Sequence, residues 1–219
     1  MKVILPKKKI IGKLSGDFEF ESSFKKNSCL SSEDIIHLIY RTSPYLADLL
    51  NKESEWVSSA FSISFENVVG NLILEAKALT HSNNFNFISH QLRIIKRRLA
   101  LALAIADISK IWGLDKITSK LTEFADISLS IAFDIASKEV SKSIDNRKIK
   151  NNIKLRNCSG ASDLGFVILA MGKMGAFELN YSSDIDFNVF FEPSFYLEEE
   201  ISIVRPFLIK ITKLAVNFM

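Results

Sequence analysis

The chain has 219 residues, of which 47% are hydrophobic, and a formal net charge of +3. This apolar content is enough for a packed core, whereas so small a net charge gives no electrostatic support for binding nucleic acid. The basic N-terminal stretch lacks an apolar segment with a cleavage site, and the most apolar run, residues 99–106, is too short to cross a bilayer. We expect no signal peptide, no nucleic-acid partner and no membrane partner.

The two cysteines of the chain, Cys29 and Cys158, are far apart and have no metal-ligand spacing. Such a pair is typical of ordinary thiols in a reducing compartment. The sequence therefore predicts a cytoplasmic location.

From residue 31 to about residue 142 the pattern is almost entirely helical. Ser31 or Ser32 is a suitable N-cap for a helix through Tyr40, and Pro44 suits the first position of a second helix. Ser64 is predicted to begin a third, because apolar residues then recur at spacings of three and four. Short connections favour an antiparallel helical array.

Two long helices are predicted next, one over about 87–112 that Gly113 ends, and one over about 114–143. The first carries a basic cluster, Arg93, Lys96, Arg97 and Arg98. These side chains could contact a phosphate or a partner, but a charge cluster on an amphipathic helix is more often a solvated face. We favour the solvated face.

The polar segment 143–163 has no periodicity and is predicted to be a loop or linker. It suggests an N-terminal extension over residues 1–30, a helical domain over 31–150 and a second domain over 151–219. The last segment, 196–219, is predicted to be a helix interrupted near Pro206.

Residues 164–191 are predicted to form a strand, a tight turn and a second strand. Residues 167–170 are a continuous apolar run between glycines, typical of a strand buried on both faces. A second apolar run, 187–191, follows Asp184 and Asp186. Because alternate residues of a strand share a face, the two carboxylates are predicted to lie side by side.

Two like charges on one face repel each other and need solvent or a cation between them. Carboxylate oxygens together with substrate phosphates are typical ligands of Mg²⁺, so the aspartates predict a magnesium site. Gly172 and Gly175 would let the backbone approach a phosphate beside Lys173. The plain alternative is a hairpin whose acidic residues only cap a strand.

Ser182 and Ser183 lie beside the first aspartate, but no histidine is near them in the sequence, so a nucleophilic serine is not expected. They are more suited to hydrogen-bond the turn or a phosphate. Glu178 and Asn180 are held as weaker site candidates.

This arrangement resembles the nucleotidyltransferase superfamily typified by DNA polymerase β. The longer stretch from Gly172 to Asp186, Gly-Lys-Met-Gly-Ala-Phe-Glu-Leu-Asn-Tyr-Ser-Ser-Asp-Ile-Asp, is similar to the motif of the glutamine synthetase adenylyltransferase family. Lys173 stands where the wider superfamily has Gly or Ser. Residues 92–112 and 122–126 also resemble the helical lead-in to the N-terminal catalytic half of that family.

The resemblance implies an α+β fold, in which a helical N-terminal array is followed by the start of a polymerase β-like mixed sheet with helices. It implies the N-terminal half of a bifunctional enzyme, which removes AMP from an adenylylated tyrosine of glutamine synthetase by Mg²⁺-dependent phosphorolysis that releases ADP. The implied partners are adenylylated glutamine synthetase, inorganic phosphate, ADP and the PII signal protein. The implied catalytic and metal-binding residues are Asp184 and Asp186, and the implied phosphate- or nucleotide-binding residues are Gly172, Lys173, Gly175, Ser182 and Ser183.

The superfamily normally has a third carboxylate on a later strand, and neither Glu192 nor the acidic run 198–200 is a convincing match. We therefore expect the 219-residue chain, as a fragment or shortened product, not to catalyse deadenylylation by itself. Two alternatives stay open. One is another metal-dependent nucleotidyltransferase acting on RNA or a small molecule, and the other is a non-catalytic helical interaction fragment.

Overall fold

A computed structural model describes residues 32–81, 84–142 and 158–219. The helices before the sheet are α1 Ser32–Thr42, α2 Pro44–Lys52, α3 Ser54–Ala60, α4 Phe65–Ala78, α5 Phe85–Ile108 and α6 Leu114–Lys142. They are followed by β1 Phe166–Ala170, the single-turn helix α7 Gly172–Gly175, β2 Phe187–Phe191 and α8 Glu198–Phe218. The predicted α+β class is confirmed, and no helix in these ranges is long and apolar enough to cross a membrane.

Capping chemistry sets the starts of two early helices as predicted. The Ser43 hydroxyl accepts a hydrogen bond from the Leu46 N–H at 3.3 Å, ahead of the proline that begins α2. The Ser64 hydroxyl accepts one from the Asn67 N–H at 3.3 Å, and α4 begins at the next residue. Side-chain oxygens of this kind satisfy N–H groups that have no partner inside a helix. Helix α3 was not predicted, because seven residues show too little periodicity.

The prediction that Gly113 ends the first long helix was wrong. Helix α5 ends at Ile108, and Lys110 takes the left-handed conformation with φ +55°. The Ile111 N–H then donates to the Ala106 carbonyl at 3.0 Å and closes the helix end. A helix commonly ends on a left-handed residue that is usually glycine, so the lysine carried no local signal.

The predicted interruption of the last helix was also wrong. Helix α8 is continuous, with Pro206 inside it and exposed. A proline removes one backbone hydrogen bond and disfavours a helix interior. Burial of an apolar stripe offsets that cost, and the stripe comprises Val204, Leu208, Ile211, Ala215 and Phe218.

The described residues divide into two compact units. The first takes residues up to Glu75 together with Arg93–Leu121, and the second takes Ala76–Leu92 together with Thr122–Met219. Both long helices, α5 and α6, contribute to each unit. The predicted extension over 1–30 and the predicted boundary near residue 150 lie outside the described residues and stay predictions.

In the first unit, half of the basic cluster on α5 is engaged by one buried glutamate. Arg97 and Arg98 form ion pairs of 2.8 Å with different oxygens of Glu53, whose side chain is only 5% exposed. The guanidinium of Arg98 also lies over the Trp56 ring, 5.4 Å from its centroid. Interpreting the whole cluster as a solvated face was therefore wrong, because these two arginines neutralise a buried charge.

In the second unit, β1 and β2 form an antiparallel hairpin that pairs Phe166 with Phe191 and Ala170 with Phe187. This confirms the predicted neighbouring strands, but the predicted tight turn between them was wrong, because the connection runs from Met171 to Asp186 and contains the helical turn α7. Residues along each strand alternate between half-buried and exposed.

One face of the hairpin rests on α6 through the fully buried ring of Phe133. The opposite face carries exposed apolar side chains, among them Val167, Leu169 and Phe190. The prediction that the first strand is buried on both faces was wrong, because in the described part of the chain a helix packs on one side only.

Candidate functional site

The two aspartates lie in the segment that leads directly into β2. The strand itself begins at Phe187, one residue after Asp186 and three residues after Asp184, so neither aspartate lies within it. Pairing nevertheless continues past the strand end, since the Met171 N–H donates to the Asp186 carbonyl at 2.8 Å. From Ser182 to Phe190 the exposed residues alternate with half-buried ones. This period of two puts the side chains of Asp184 and Asp186 on one exposed face of the hairpin.

Gly172 brings the backbone of the turn against the second carboxylate. Its φ is +54°, in the left-handed region that side-chain-bearing residues rarely adopt. A Cβ atom at this position would lie 3.0 Å from Oδ2 of Asp186. Glycine therefore serves both the turn conformation and the close approach.

Gly175 has a packing role at the other end of the same turn. A Cβ atom there would lie 2.6 Å from the Ala170 carbonyl oxygen, so only glycine lets α7 rest on the end of β1. Its N–H already donates to the Met171 carbonyl at 3.0 Å. The N–H of Gly175 is therefore not available to a bound phosphate, and this glycine can affect a phosphate only through the shape of the turn. The side chain of Lys173 is exposed on the same turn.

A local hydrogen-bonded cluster fixes the chain just before the first aspartate. The Ser183 hydroxyl donates to Asn180 Oδ1 at 2.7 Å, and the same oxygen accepts from the Ser182 N–H at 3.2 Å. The Asn180 N–H in turn donates to the Ser183 hydroxyl at 3.2 Å. Asn180, a weaker candidate in the sequence, is therefore the centre of the turn that leads to Asp184.

Sequence reasoning missed Phe177, which adopts φ +60° although it is bulky and exposed. Its conformation reverses the chain after α7, where the Glu178 N–H donates to the Lys173 carbonyl at 2.8 Å. Left-handed conformations of bulky residues cost energy and occur mainly where the surrounding structure imposes them. No local signal could have revealed it, since glycine or asparagine usually marks such positions.

The described residues contain no group of three or more His, Cys, Asp or Glu side chains arranged to hold a metal ion. Two of the four acidic candidates for a third ligand are engaged in capping. Glu192 accepts a hydrogen bond from the Ser194 N–H at 3.1 Å, which holds its pKa below the usual value. Glu200 accepts one from the Leu197 N–H at 3.0 Å. The aspartate pair thus offers oxygen donors without a third carboxylate from these positions.

The donor set of the pair suits a hard divalent cation. Both aspartates are exposed, and neither forms an ion pair with another residue of the described ranges. Carboxylate oxygens with open coordination positions are the usual environment of Mg²⁺ beside phosphates. Because Gly172 has no side chain, the position 3.0 Å from Oδ2 of Asp186 where a Cβ atom would lie is left open by this residue. The residues present therefore fit Mg²⁺.

Comparisons with known proteins find one matching family and several curated relatives. The sequence model of a family described as glutamate-ammonia ligase adenylyltransferase matches residues 33–207. A bifunctional glutamine synthetase adenylyltransferase/adenylyl-removing enzyme of Agrobacterium fabrum is 36% identical over 168 residues, which cover 74% of this chain and 16% of the relative. A protein of the same description from Caulobacter vibrioides is 32% identical over 155 residues, which cover 71% of this chain and 15% of the relative. One from Rhizobium meliloti is 40% identical over 107 residues, which cover 47% of this chain and 10% of the relative.

The chain belongs to the glutamate-ammonia ligase adenylyltransferase family. It spans about a sixth of the length of curated relatives that match most of this chain. No solved structure matches it.

Proposed function

We propose that this chain supplies the phosphate-binding hairpin of an enzyme that removes AMP from an adenylylated tyrosine of glutamine synthetase. The reaction is phosphorolysis, in which inorganic phosphate is the acceptor and ADP is released. The observation that carries the proposal is the placement of Asp184 and Asp186 on one exposed face, with Asp186 against the Gly172 turn. Relatives of the chain are named as adenylyl-removing enzymes as well as adenylyltransferases, which supports this direction of reaction.

The roles follow from charge and position. Asp184 and Asp186 would hold Mg²⁺, which when bound would neutralise phosphate oxygens and polarise the phosphorus centre. Lys173 would balance the charge of the incoming phosphate, beside the backbone of Gly172. Asn180 and Ser183 would keep the first aspartate in place. Ser182 would offer its exposed hydroxyl to a phosphate oxygen.

The chemistry requires positioning more than covalent participation by the protein. An oxygen of inorganic phosphate forms a bond to the AMP phosphorus, and the bond from that phosphorus to the tyrosine oxygen breaks. The tyrosine oxygen takes a proton from solvent, and ADP leaves. Most of the acceleration of phosphoryl transfer comes from holding reactants in line and stabilising charge.

A second candidate is the opposite half-reaction, transfer of AMP from ATP to the tyrosine. The adenylyltransferase part of the relatives' names favours it. The resemblance of residues 92–112 to the lead-in of the N-terminal half favours removal of AMP. A regulatory contact with the PII signal protein and a cytoplasmic location belong to the same proposal.

The two directions can be separated in a chimera. Residues 33–207 of this chain would replace the matching segment of the Agrobacterium relative, in versions with Asp186 and with Asp186→Asn. Two assays follow on each version: ADP formation from adenylylated glutamine synthetase with phosphate and Mg²⁺, and AMP transfer from ATP to unmodified glutamine synthetase.

We expect the Asp186→Asn chimera to lose ADP formation by at least roughly a hundredfold, because a metal-binding charge is lost at the reacting phosphate. AMP transfer from ATP should persist, which shows that the chimera is folded. Loss of AMP transfer with ADP formation intact would assign this segment to the opposite half-reaction. Full retention of both activities would remove the aspartate from the chemistry.

A further inference from the structure

The hairpin that carries the aspartates rests on one side chain of helix α6. The ring of Phe133 makes edge-to-face contacts with two rings of the sheet, 5.5 Å from Phe166 and 6.1 Å from Phe187 between centroids. Phe133 is fully buried. The two contacted residues are the first residues of β1 and β2, so one ring supports both strands.

Phe187 is the link between this support and the carboxylates. It directly follows Asp186, and consecutive residues of extended chain point to opposite faces. A ring held against α6 therefore fixes the backbone from which the Asp186 carboxylate projects on the exposed face. Aromatic pairs of this geometry prefer a defined orientation, which an aliphatic side chain of similar size does not impose.

The neighbouring residue of the same helix fixes the approach to β1. Oδ1 of Asp134 accepts a hydrogen bond from the Ala161 N–H at 2.8 Å. A Cβ atom on Gly160 would lie 2.7 Å from that oxygen, so the chain passes close to the carboxylate. Adjacent residues of α6 thus contact both the lead-in to β1 and the start of β2.

We propose that Phe133 is a positioning residue for the aspartate pair. It acts through Phe187 to set where the Asp186 carboxylate lies relative to the Gly172 turn. The consequence for a bound cation rests on the proposed function. The consequence for the backbone is independent of that function, because the hydrogen bond from the Met171 N–H to the Asp186 carbonyl forms only while the Asp186 backbone is held in place.

The test compares Phe133→Leu with Phe124→Leu in the 219-residue chain. Phe124 is buried in the same helix and, within the described residues, has no ring contact with Phe166 or Phe187. The measurements are the amide hydrogen exchange rate of Met171, the affinity for Mn²⁺ alone, and the urea midpoint. If Phe133→Leu does not fold, Phe133→Met, which preserves the volume better, takes its place.

In Phe133→Leu we expect the Met171 amide to exchange roughly tenfold faster, because the strand end is less constrained. We expect Mn²⁺ to bind roughly tenfold more weakly, as when other supporting residues of metal ligands are lost. Phe124→Leu should lower the urea midpoint by a similar amount and leave both other quantities unchanged. The proposal is overturned if the two variants accelerate Met171 exchange equally, since Phe133 would then only fill space. A wild-type chain that binds no Mn²⁺ would count against the proposed function. The exchange rate of the Met171 amide would still decide whether Phe133 positions the Asp186 backbone.

Discussion

The carboxylates of this chain differ in how their charge is balanced, as Glu53 and the aspartate pair Asp184 and Asp186 show. Glu53 is buried and paired through both oxygens with Arg97 and Arg98. The aspartates are exposed, lie on one face, and form no ion pair within the described residues. A buried carboxylate must be neutralised within the fold, whereas an exposed pair can accept its counter-charge from outside.

In this chain, burial therefore separates carboxylates that stabilise the fold from carboxylates that are available for binding. Removing the carboxylate of Glu53 should damage the fold, because two arginines lose their partner. Removing a carboxylate of the aspartate pair should leave the fold intact and change what the chain binds.

The largest effect is expected for Glu53→Ala. It leaves two partly buried arginines without a counter-charge, and we expect the free energy of unfolding to fall by about 2–4 kcal/mol. Glu55→Gln, at an exposed glutamate of the same segment, should change it by less than about 0.5 kcal/mol. Urea unfolding of both variants measures the difference. Equal stability losses would show that Glu53 is not a structural charge.

The next effect concerns the glycine beside Asp186. Gly172→Ala forces a side chain into the left-handed conformation and against the carboxylate, so it should cost about 1–2 kcal/mol of stability. It should also weaken Mn²⁺ binding, because the carboxylate must move. The control is Gly70→Ala in α4, where a Cβ atom would meet nothing within 4 Å. This change should stabilise the chain by about 0.5–1 kcal/mol. A stabilising Gly172→Ala would contradict the described turn.

A smaller effect is expected for Asn180→Ala. The change removes the oxygen that accepts from Ser182 and Ser183, and should cost about 1 kcal/mol in urea unfolding. Mn²⁺ binding should weaken too, since the turn before Asp184 becomes less ordered. Asn217→Ala on the exposed side of α8 is the control and should leave Mn²⁺ binding unchanged. If both variants bind Mn²⁺ like the wild type, Asn180 does not position the aspartate.

The smallest effect is a pH-dependent one in the first unit. A hydrogen bond of 2.6 Å from Lys116 lowers the pKa of Glu66 below its ordinary value of 4.5. A lowered folded-state pKa gives stability that is present above 4.5 and is lost as the pH falls below it. Both side chains are about half exposed, so Lys116→Gln should cost less than about 1 kcal/mol at pH 7.

This cost should shrink at pH 3 in urea unfolding measured at both values, leaving what the contact of Lys116 with the Trp112 ring contributes. Lys96→Gln, at an exposed lysine of α5, should show no such convergence. A cost for Lys116→Gln that stays constant with pH would show that Glu66 is not its partner.

The elements that followed from sequence are those in which one local rule decides the structure. Pro44 at a first helical position, Ser64 ahead of α4 and the apolar stripe of α6 all act within a few residues. The hairpin was also predictable, because glycines bound its first apolar run and period-two alternation relates its aspartates.

The failures occur where distant packing outweighs a local preference. Lys110 and Phe177 take left-handed conformations that their side chains disfavour, and Pro206 is tolerated because the buried stripe of α8 holds the helix. The support of Phe187 by Phe133 could not be predicted, since it joins residues far apart in sequence. The pairing of Glu53 with two arginines of α5 was missed for the same reason.

The cation site is tested most directly by the Mn²⁺ affinity of four proteins, measured by titration calorimetry. They are the wild-type chain, Asp184→Asn, Asp186→Asn and the control Asp107→Asn. Urea unfolding of the same proteins measures their stability. Asp107 is an exposed aspartate of α5, away from the hairpin in sequence. We expect the wild type and Asp107→Asn to bind Mn²⁺ with equal affinity. Each hairpin variant should bind at least roughly tenfold more weakly, with unfolding unchanged, because one ligand charge is lost from an exposed pair. Equal affinity in all four proteins would contradict the claim that Asp184 and Asp186 form a cation site.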